Sequence, residues 1–380
     1  MTYIKRIIET SILDYLKAFP VVGLTGARQT GKSTTLKKIL PNYRYITFDD
    51  YRILDFFSSD PEGFFKLYDD KVIFDEVQKA PKIFNYIKIS VDNDRSNYGK
   101  FVLTSTVQFS FMQNISESLA GRIGLLKMTP FCFEEIPESQ KDESLHGGCY
   151  PELISRNYYQ SQNWYASYTE TYLQKDVRLL LNITDLRDFQ NLMILLASNV
   201  GGILNMSNLA IKIGVSVPTI KRWISILEAS FIIFLLPAYY KNFGVRIRKL
   251  PKIYFFDSGL VSHLLGIKNL EDFKASHLYG NLFENYVVSQ IYKKEFAHNT
   301  KAESYYFRSS NSEEIDLIIT RGEKREFLEI KAGQSFKTGM CAAMEKYMEE
   351  NDQGYLLYNG EKFAYKEKVK VINFQDYLLT

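Results

Sequence analysis

The sequence predicts an α/β protein in three parts: a parallel sheet flanked by helices over residues 1–140, a helical middle over 141–268, and a second α/β part over 269–380. Three observations predict it. Short apolar runs alternate with helical patterns through the first third, as strands joined by crossover helices do. Residues 204–228 carry two short helical patterns that meet at Gly214. Residues 315–331 read as two strands around an Arg-Gly-Glu-Lys-Arg loop.

In the first part, Phe19–Leu24 is a short apolar segment with the look of a buried strand, and Ser33–Leu40 is helical up to Pro41. Between them runs Gly26-Ala27-Arg28-Gln29-Thr30-Gly31-Lys32-Ser33, which fills every fixed position of the phosphate-binding loop G-x-x-x-x-G-K-[ST]. Its glycines let backbone N–H groups curl around a phosphate, and the helix N-terminus adds partial positive charge. Gly26 to Thr34 are therefore the candidate phosphate-binding residues, with Lys32 reaching the β- and γ-phosphates and Ser33 on a magnesium ion. ATP and Mg²⁺ are the expected cofactors. A second strand, Lys71–Phe74, ends in Asp75-Glu76: Asp75 suits a water-bridged magnesium and Glu76 suits polarisation of the attacking water. Phe101–Leu103 ends in Thr104-Ser105-Thr106, whose hydroxyls are placed to sense a γ-phosphate or to make an ordinary turn. Residues 3–18 read as an amphipathic helix beside the nucleotide. Arg122 follows a small-residue turn; it either stabilises transition-state charge, in its own subunit or in a neighbour's, or pairs structurally with a carboxylate. Action on a neighbour requires a homo-oligomer.

The composition is that of an ordinary globular protein, 46% hydrophobic and 24% charged. With 27 Tyr and 27 Phe, its cores are expected to be aromatic. Cys132, Cys149 and Cys341 are odd in number and far apart, which suits a reducing cytoplasm and gives no disulfide framework. The four histidines form no ligand spacing. The N-terminus lacks the apolar core of a signal peptide, and the longest apolar run, Phe231–Tyr240, is broken by Pro237 and too short for a membrane span. The expected location is the cytoplasm, with no membrane partner.

In the middle part, Pro137–Gly148 is polar and breaker-rich and reads as a linker or surface loop. The stretch Leu204–Glu228 has the form of a helix-turn-helix, with Ser207 capping the first helix, Gly214 in the turn, and Ser216 and Pro218 starting the second. Ile220, Trp223, Ile224 and Leu227 form one apolar stripe, and Lys221, Arg222 and Ser225 face away from it. The strand-like Phe231–Leu236 and the residues up to Lys252 suit a wing. From Asn205 to Lys252 there are eight Lys/Arg against the single acid Glu228. Basic charge gathered on one module is the footprint of phosphate-backbone contact, so DNA is the expected partner. A hinge between domains or a protein-binding module would carry the same helices.

In the last part, a hairpin centred between Gly322 and Glu323 sets Asp316 across from Glu329, with Lys331 on the same face. Two carboxylates and a lysine on otherwise apolar strands suit a divalent metal and phosphodiester hydrolysis; mutual pairing on an exposed face is the alternative. Glu284 lies on the apolar face of a helix with Val287, Val288 and Ile291 and would complete such a site.

Over nearly its whole length the chain resembles the bacterial and archaeal AAA+-type predicted ATPases that carry a C-terminal region of unknown function. The resemblance rests on Gly26–Ser33, Phe74–Gln78, Ser118–Arg122, Gly147–Glu152, Thr171–Val177 and Lys252–Leu260. The tail is similar to restriction-endonuclease-like domains with a D…E-x-K core, here Asp316, Glu329 and Lys331. The resemblance implies a P-loop ATPase domain, a winged-helix middle and a nuclease-like end. Two positions depart from it: Thr104-Ser105-Thr106 stands where relatives show Thr-Gly-Ser, and Val245 where they carry lysine. The function expected is an ATP-driven, DNA-associated switch or motor. The alternatives are a nucleotide-gated binding regulator without cleavage and an ATP-licensed, Mg²⁺-dependent nuclease.

Overall fold

The computed structural model describes residues 3–106, 108–172, 186–239, 250–309, 311 and 313–380. The chain forms two compact units: Met1–Pro130 with Ala229–Phe231 and Phe296–Asn299, and the remainder from Phe131. The boundary expected at residue 268 lies inside the second unit.

The first unit is a five-stranded sheet in the order β2-β3-β4-β1-β5, all neighbours parallel: β1 Val21–Gly26, β2 Arg44–Thr47, β3 Val72–Asp75, β4 Phe101–Ser105 and β5 Ile123–Met128. β1, β3 and β4 are buried throughout, as apolar central strands of a parallel sheet must be. One face packs on an aromatic core in which Phe64 contacts Phe48, Phe57 and Phe74 at 5.3–6.2 Å between ring centroids. Such pairs contribute roughly 0.5–1.5 kcal/mol each beyond area burial. Helix α1, Ile8–Ala18, buries Ile8, Ile12 and Leu16, one residue per turn. It starts later than residue 3 because the Glu9 carboxylate turns back to accept the Arg6 N–H at 2.6 Å. Parallel strands put all the carboxyl ends on one edge, and the order places β4 between β1 and β3 at that edge.

The second unit holds a six-stranded sheet in the order β12-β13-β11-β10-β9-β8, with β12 Phe363–Lys366 and β13 Val369–Asn373, and a separate antiparallel pair, β6 Ile233–Leu236 with β7 Lys252–Phe255. The strands β8 Glu303–Arg308, β9 Glu314–Arg321 and β10 Lys324–Lys331 are antiparallel neighbours; β11 Gln353–Tyr358 runs parallel to β10. The helix-turn-helix lies at Met206–Ile213 and Val217–Ala229. Gly214 takes φ +86° in the turn, and Ser216 Oγ accepts the Thr219 N–H at 3.3 Å. Ile220, Trp223, Ile224 and Leu227 are buried, while Lys221, Arg222 and Ser225 are exposed. The first helix is capped by Asn205, not Ser207: it begins at Met206, which leaves Ser207 inside its first turn, and Asn205 Oδ1 accepts the Asn208 N–H. Residues 240–249, including the expected wing tip and Val245, lie outside the described residues, as do 173–177.

Only the start of Pro137–Gly148 is an exposed turn, Glu138–Gln140; the rest is not a surface loop. Lys141–Gly147 is a helix with Ser144, Leu145, His146 and Gly147 buried. Its exposed polarity is confined to one side at Asp142, and Ser144 Oγ shares a hydrogen bond with Tyr286 Oη at 2.5 Å. Gly148 ends the helix at φ +82° and brings the chain against Asp257. That buried carboxylate accepts the Cys149 N–H at 2.6 Å, the Leu260 N–H at 2.9 Å and the Tyr165 hydroxyl at 2.5 Å.

Candidate functional site

At the end of β1 the backbone opens at Gly26, φ +150°, where a Cβ would lie 1.9 Å from the Met128 carbonyl oxygen. Only glycine fits so close to β5. Gly31 at φ +89° turns the loop into helix α2, Lys32–Ile39. Lys32 is buried, and its ammonium donates to the carbonyls of Gly26 at 2.9 Å and Ala27 at 2.8 Å. Thr30 Oγ1 donates to the Ala27 carbonyl. From outside the loop, the buried Arg6 guanidinium donates to the Thr30 carbonyl at 2.7 Å and to the Thr129 carbonyl at 2.8 Å. Arg6 thus fastens the loop to the chain beyond β5.

Asp75, at the end of β3, accepts the Ser33 hydroxyl at 3.1 Å, the Tyr45 hydroxyl at 2.5 Å, the Thr47 hydroxyl at 3.4 Å and the Thr104 hydroxyl. Burial, and then the hydrogen bond to Asp75, push the Tyr45 phenol far above its ordinary range, so it stays a proton donor. Glu76 stands in the left-handed region at φ +57°, which strains a non-glycine residue by about 1 kcal/mol or more. Its N–H donates to Thr104 Oγ1 at 3.3 Å, and its carboxylate accepts the Thr106 hydroxyl at 3.0 Å and the Gln78 side-chain amide. The structure therefore brings Lys32, Ser33, Asp75, Glu76, Thr104 and Thr106 together. Arg6, Tyr45 and Thr47 were not singled out from the sequence, and Gln78 entered only as the end of the Phe74–Gln78 stretch, with no role given. Tyr45 and Thr47 alternate on β2 and reach Asp75 on neighbouring β3, a signal that needs the strand order.

Arg122 is elsewhere. Its carbonyl pairs with the Val21 N–H at the start of β1, and its guanidinium forks onto Asp92 at 2.7 and 2.9 Å. The six residues of β1 separate it from the phosphate loop by about 20 Å at roughly 3.3 Å per residue. This corrects the expectation of an arginine acting within its own subunit. The loop amides, Lys32 and the Ser33–Asp75 contact fit a polyphosphate with its magnesium: the cradle excludes a Cβ and the donor set is cationic next to the loop and anionic beside Ser33.

A second cluster lies in the second unit. The β9–β10 register pairs Arg321 with Lys324 and Leu317 with Leu328, so that Asp316 stands across from Glu329 as expected. Asp316 Oδ2 accepts the Ile330 N–H at 2.8 Å. Lys331 Nζ lies 2.5 Å from Glu329 Oε1 and 3.6 Å from Asp316 Oδ2. Glu284 is not gathered with them as a ligand: its Oε1 accepts the Tyr254 hydroxyl at 2.6 Å and the Lys252 ammonium at 3.1 Å. Lys252, counted above with the basic module, is buried and lies 2.5 Å from Glu314 as well. Burial and then the Asp316 charge raise the Glu284 carboxyl to about 7 and the Glu329 carboxyl to about 8. Among the described residues, no three His, Cys, Asp or Glu side chains converge tightly enough to hold a metal ion.

Residues 18–137 match the family model of the AAA domain, residues 139–271 a domain of unknown function (DUF8612), and residues 279–377 a domain of unknown function (DUF4143). An uncharacterized protein of Mycobacterium tuberculosis, Rv2008c, is 28% identical over 314 residues, covering 82% of this chain and 70% of its own. An uncharacterized protein of Haemophilus influenzae is 19% identical over 368 residues, 86% of this chain and 85% of its own. The Walker-type ATPase PABY2304 of Pyrococcus abyssi is similar in structure with TM-score 0.47 and 15% identity, over 68% of this chain and 95% of that one. Among the described residues no helix is long and apolar enough to cross a membrane. With the phosphate loop, the strand order and the acid pair on one sheet edge, residues 18–137 are an AAA-type P-loop domain, carried in one chain with two regions that match domains of unknown function.

Proposed function

We propose that the chain is an ATP-hydrolysing, DNA-associated switch or motor with a nuclease-like C-terminal part. The observation that carries the ATPase reading is the fixing of Asp75 by the Thr104 hydroxyl of β4 and of Glu76 by the Thr106 hydroxyl just beyond it, within reach of Ser33. Gly26 to Thr34 would hold the phosphates of ATP, and Ser33 with Asp75 its Mg²⁺. Bound Mg-ATP supplies the phosphoanhydride to be cleaved. Lys32 compensates phosphate charge. Glu76 accepts the proton of the attacking water, and Thr106 and Gln78 hold its carboxylate in place. Arg6 keeps the loop from relaxing away from β5. Arg122 acts on nucleotide only in a neighbouring copy of a homo-oligomer.

Lys32→Ala is expected to weaken ATP binding by about 10–100-fold, the loss of charge-assisted hydrogen bonds to phosphate, and to abolish turnover. Fluorescent-nucleotide titration and phosphate release measure the two. Wild-type turnover in this variant would remove the site assignment.

The exposed Lys221 and Arg222 on the second helix of the helix-turn-helix support DNA as partner. Replacing both with alanine should weaken duplex binding and reduce the slope of log K against log salt by about 2. A slope unchanged by the double substitution would remove these residues from the interface. Ile211, 81% exposed, and Val217, 42% exposed, lie on the same module and favour the second reading, a regulator that binds a protein partner and cleaves nothing.

A further inference from the structure

Resting on the nuclease-like reading of the second unit, we propose that Lys252 is a built-in cation that competes with a divalent metal for the carboxylate cluster, so that Glu284 joins Asp316 and Glu329 only when Lys252 is displaced. Four carboxylates, Glu284, Glu314, Asp316 and Glu329, stand around two lysines. Lys331 comes from β10 itself and answers Glu329 and Asp316. Lys252 comes from β7, which belongs to the separate β6–β7 pair, and its side chain is only 4% exposed. Its ammonium bridges Glu284 and Glu314, and it sits over the Tyr306 ring at 5.7 Å. Two positions along β7, on the same face, Tyr254 donates to the same Glu284 oxygen. The start of the Lys252–Leu260 motif thus serves to hold Glu284.

The consequence for metal binding is direct. A magnesium or manganese ion needs several oxygens at about 2.0–2.2 Å, and here Glu284 Oε1 is engaged by two donors and Asp316 Oδ2 by the Ile330 N–H. Yet ligand capacity remains: Glu329 Oε2 is buried with no hydrogen-bond partner. A buried carboxylate oxygen left in that state is costly and marks a position where a cation or water is accepted. Removing one positive charge from among four carboxylates creates the demand for another, and a divalent ion meets it. β6 and β7 form a separate sheet from the one that holds β9 and β10, so the lysine is anchored on a different element from the acids of those strands.

The test is Mn²⁺ titration of the purified, nucleotide-free full chain, followed by electron paramagnetic resonance and calorimetry. The wild type is expected to bind Mn²⁺ weakly at this cluster. Lys252→Met should gain one site at least about tenfold tighter, and a second substitution, Asp316→Asn, should remove it. If Lys252→Met does not fold, Glu314→Gln loosens the lysine without leaving it unpaired, and should tighten Mn²⁺ binding about threefold. A folded Lys252→Met with no gained site, or an unchanged affinity in Glu314→Gln, overturns the proposal together with a metal role for the cluster. Tight wild-type binding that Asp316→Asn abolishes and Lys252→Met leaves unchanged overturns the role of Lys252 alone, and the nuclease-like metal site stands.

Discussion

Glu76→Gln is expected to lower the turnover of ATP hydrolysis by about 10²–10⁴-fold, the usual contribution of a positioned general base, while nucleotide affinity stays near that of the wild type. The substitution keeps the size of the side chain and removes its ability to take a proton. It also leaves Asp75 with its hydroxyl donors from Ser33, Tyr45 and Thr104. The binding half of the site is therefore intact, which separates this variant from Lys32→Ala, where affinity falls first. Single-turnover phosphate release beside equilibrium nucleotide binding makes the distinction. Turnover within a few fold of the wild type would mean that Glu76 is held at φ +57° by Thr104, Thr106 and Gln78 for some purpose other than water activation.

Asp257→Ala is expected to be the most damaging single change in the second unit. It strands three buried donors: the Cys149 N–H, the Leu260 N–H and the Tyr165 hydroxyl. At about 1–3 kcal/mol for each unpaired group, the cost is roughly 3–6 kcal/mol, allowing for partial relaxation. For a unit of this size that lowers the melting temperature by on the order of 10 °C. Differential scanning calorimetry reads the result. A melting temperature within about 2 °C of the wild type would show that water replaces the carboxylate and that the packing of this region does not depend on it.

The phosphate loop and the acid pair were legible in the sequence because their chemistry demands fixed residue types at fixed short spacings. Gly26, Gly31, Lys32 and Ser33 fall within eight consecutive residues, and Asp75-Glu76 end one strand. The partners that finish the site come from far along the chain. Arg6 reaches Thr129 across 123 positions, and Tyr45 reaches Asp75 across 30. Nothing local distinguishes such an arginine or tyrosine from a surface one. The polar run Pro137–Gly148 misled for a related reason: Ser144 and His146 are as polar as linker residues, and only the distant Tyr286 shows that Ser144 faces inward. Lys252 was hidden in a basic stretch, where its charge read as one more phosphate contact; its burial between Glu284 and Glu314 depends on elements 30 and more residues away. The hairpin register of Asp316 and Glu329, by contrast, follows from a two-residue loop and could be counted directly.

Thr104 at the tip of β4 has one proton to give. It gives that proton to Asp75, so toward the Glu76 N–H it can act only as an acceptor. The two acids are thereby wired in series, with a polarity that runs from the Glu76 amide through a single hydroxyl to the Asp75 carboxylate. Each link polarises the next, and any change in the charge carried by Asp75 is transmitted to the backbone on which Glu76 is mounted. Serine at this position would conserve the circuit. Valine would keep the shape of the strand and cut both ends of it at once, turning one coordinated pair of acids into two independent ones.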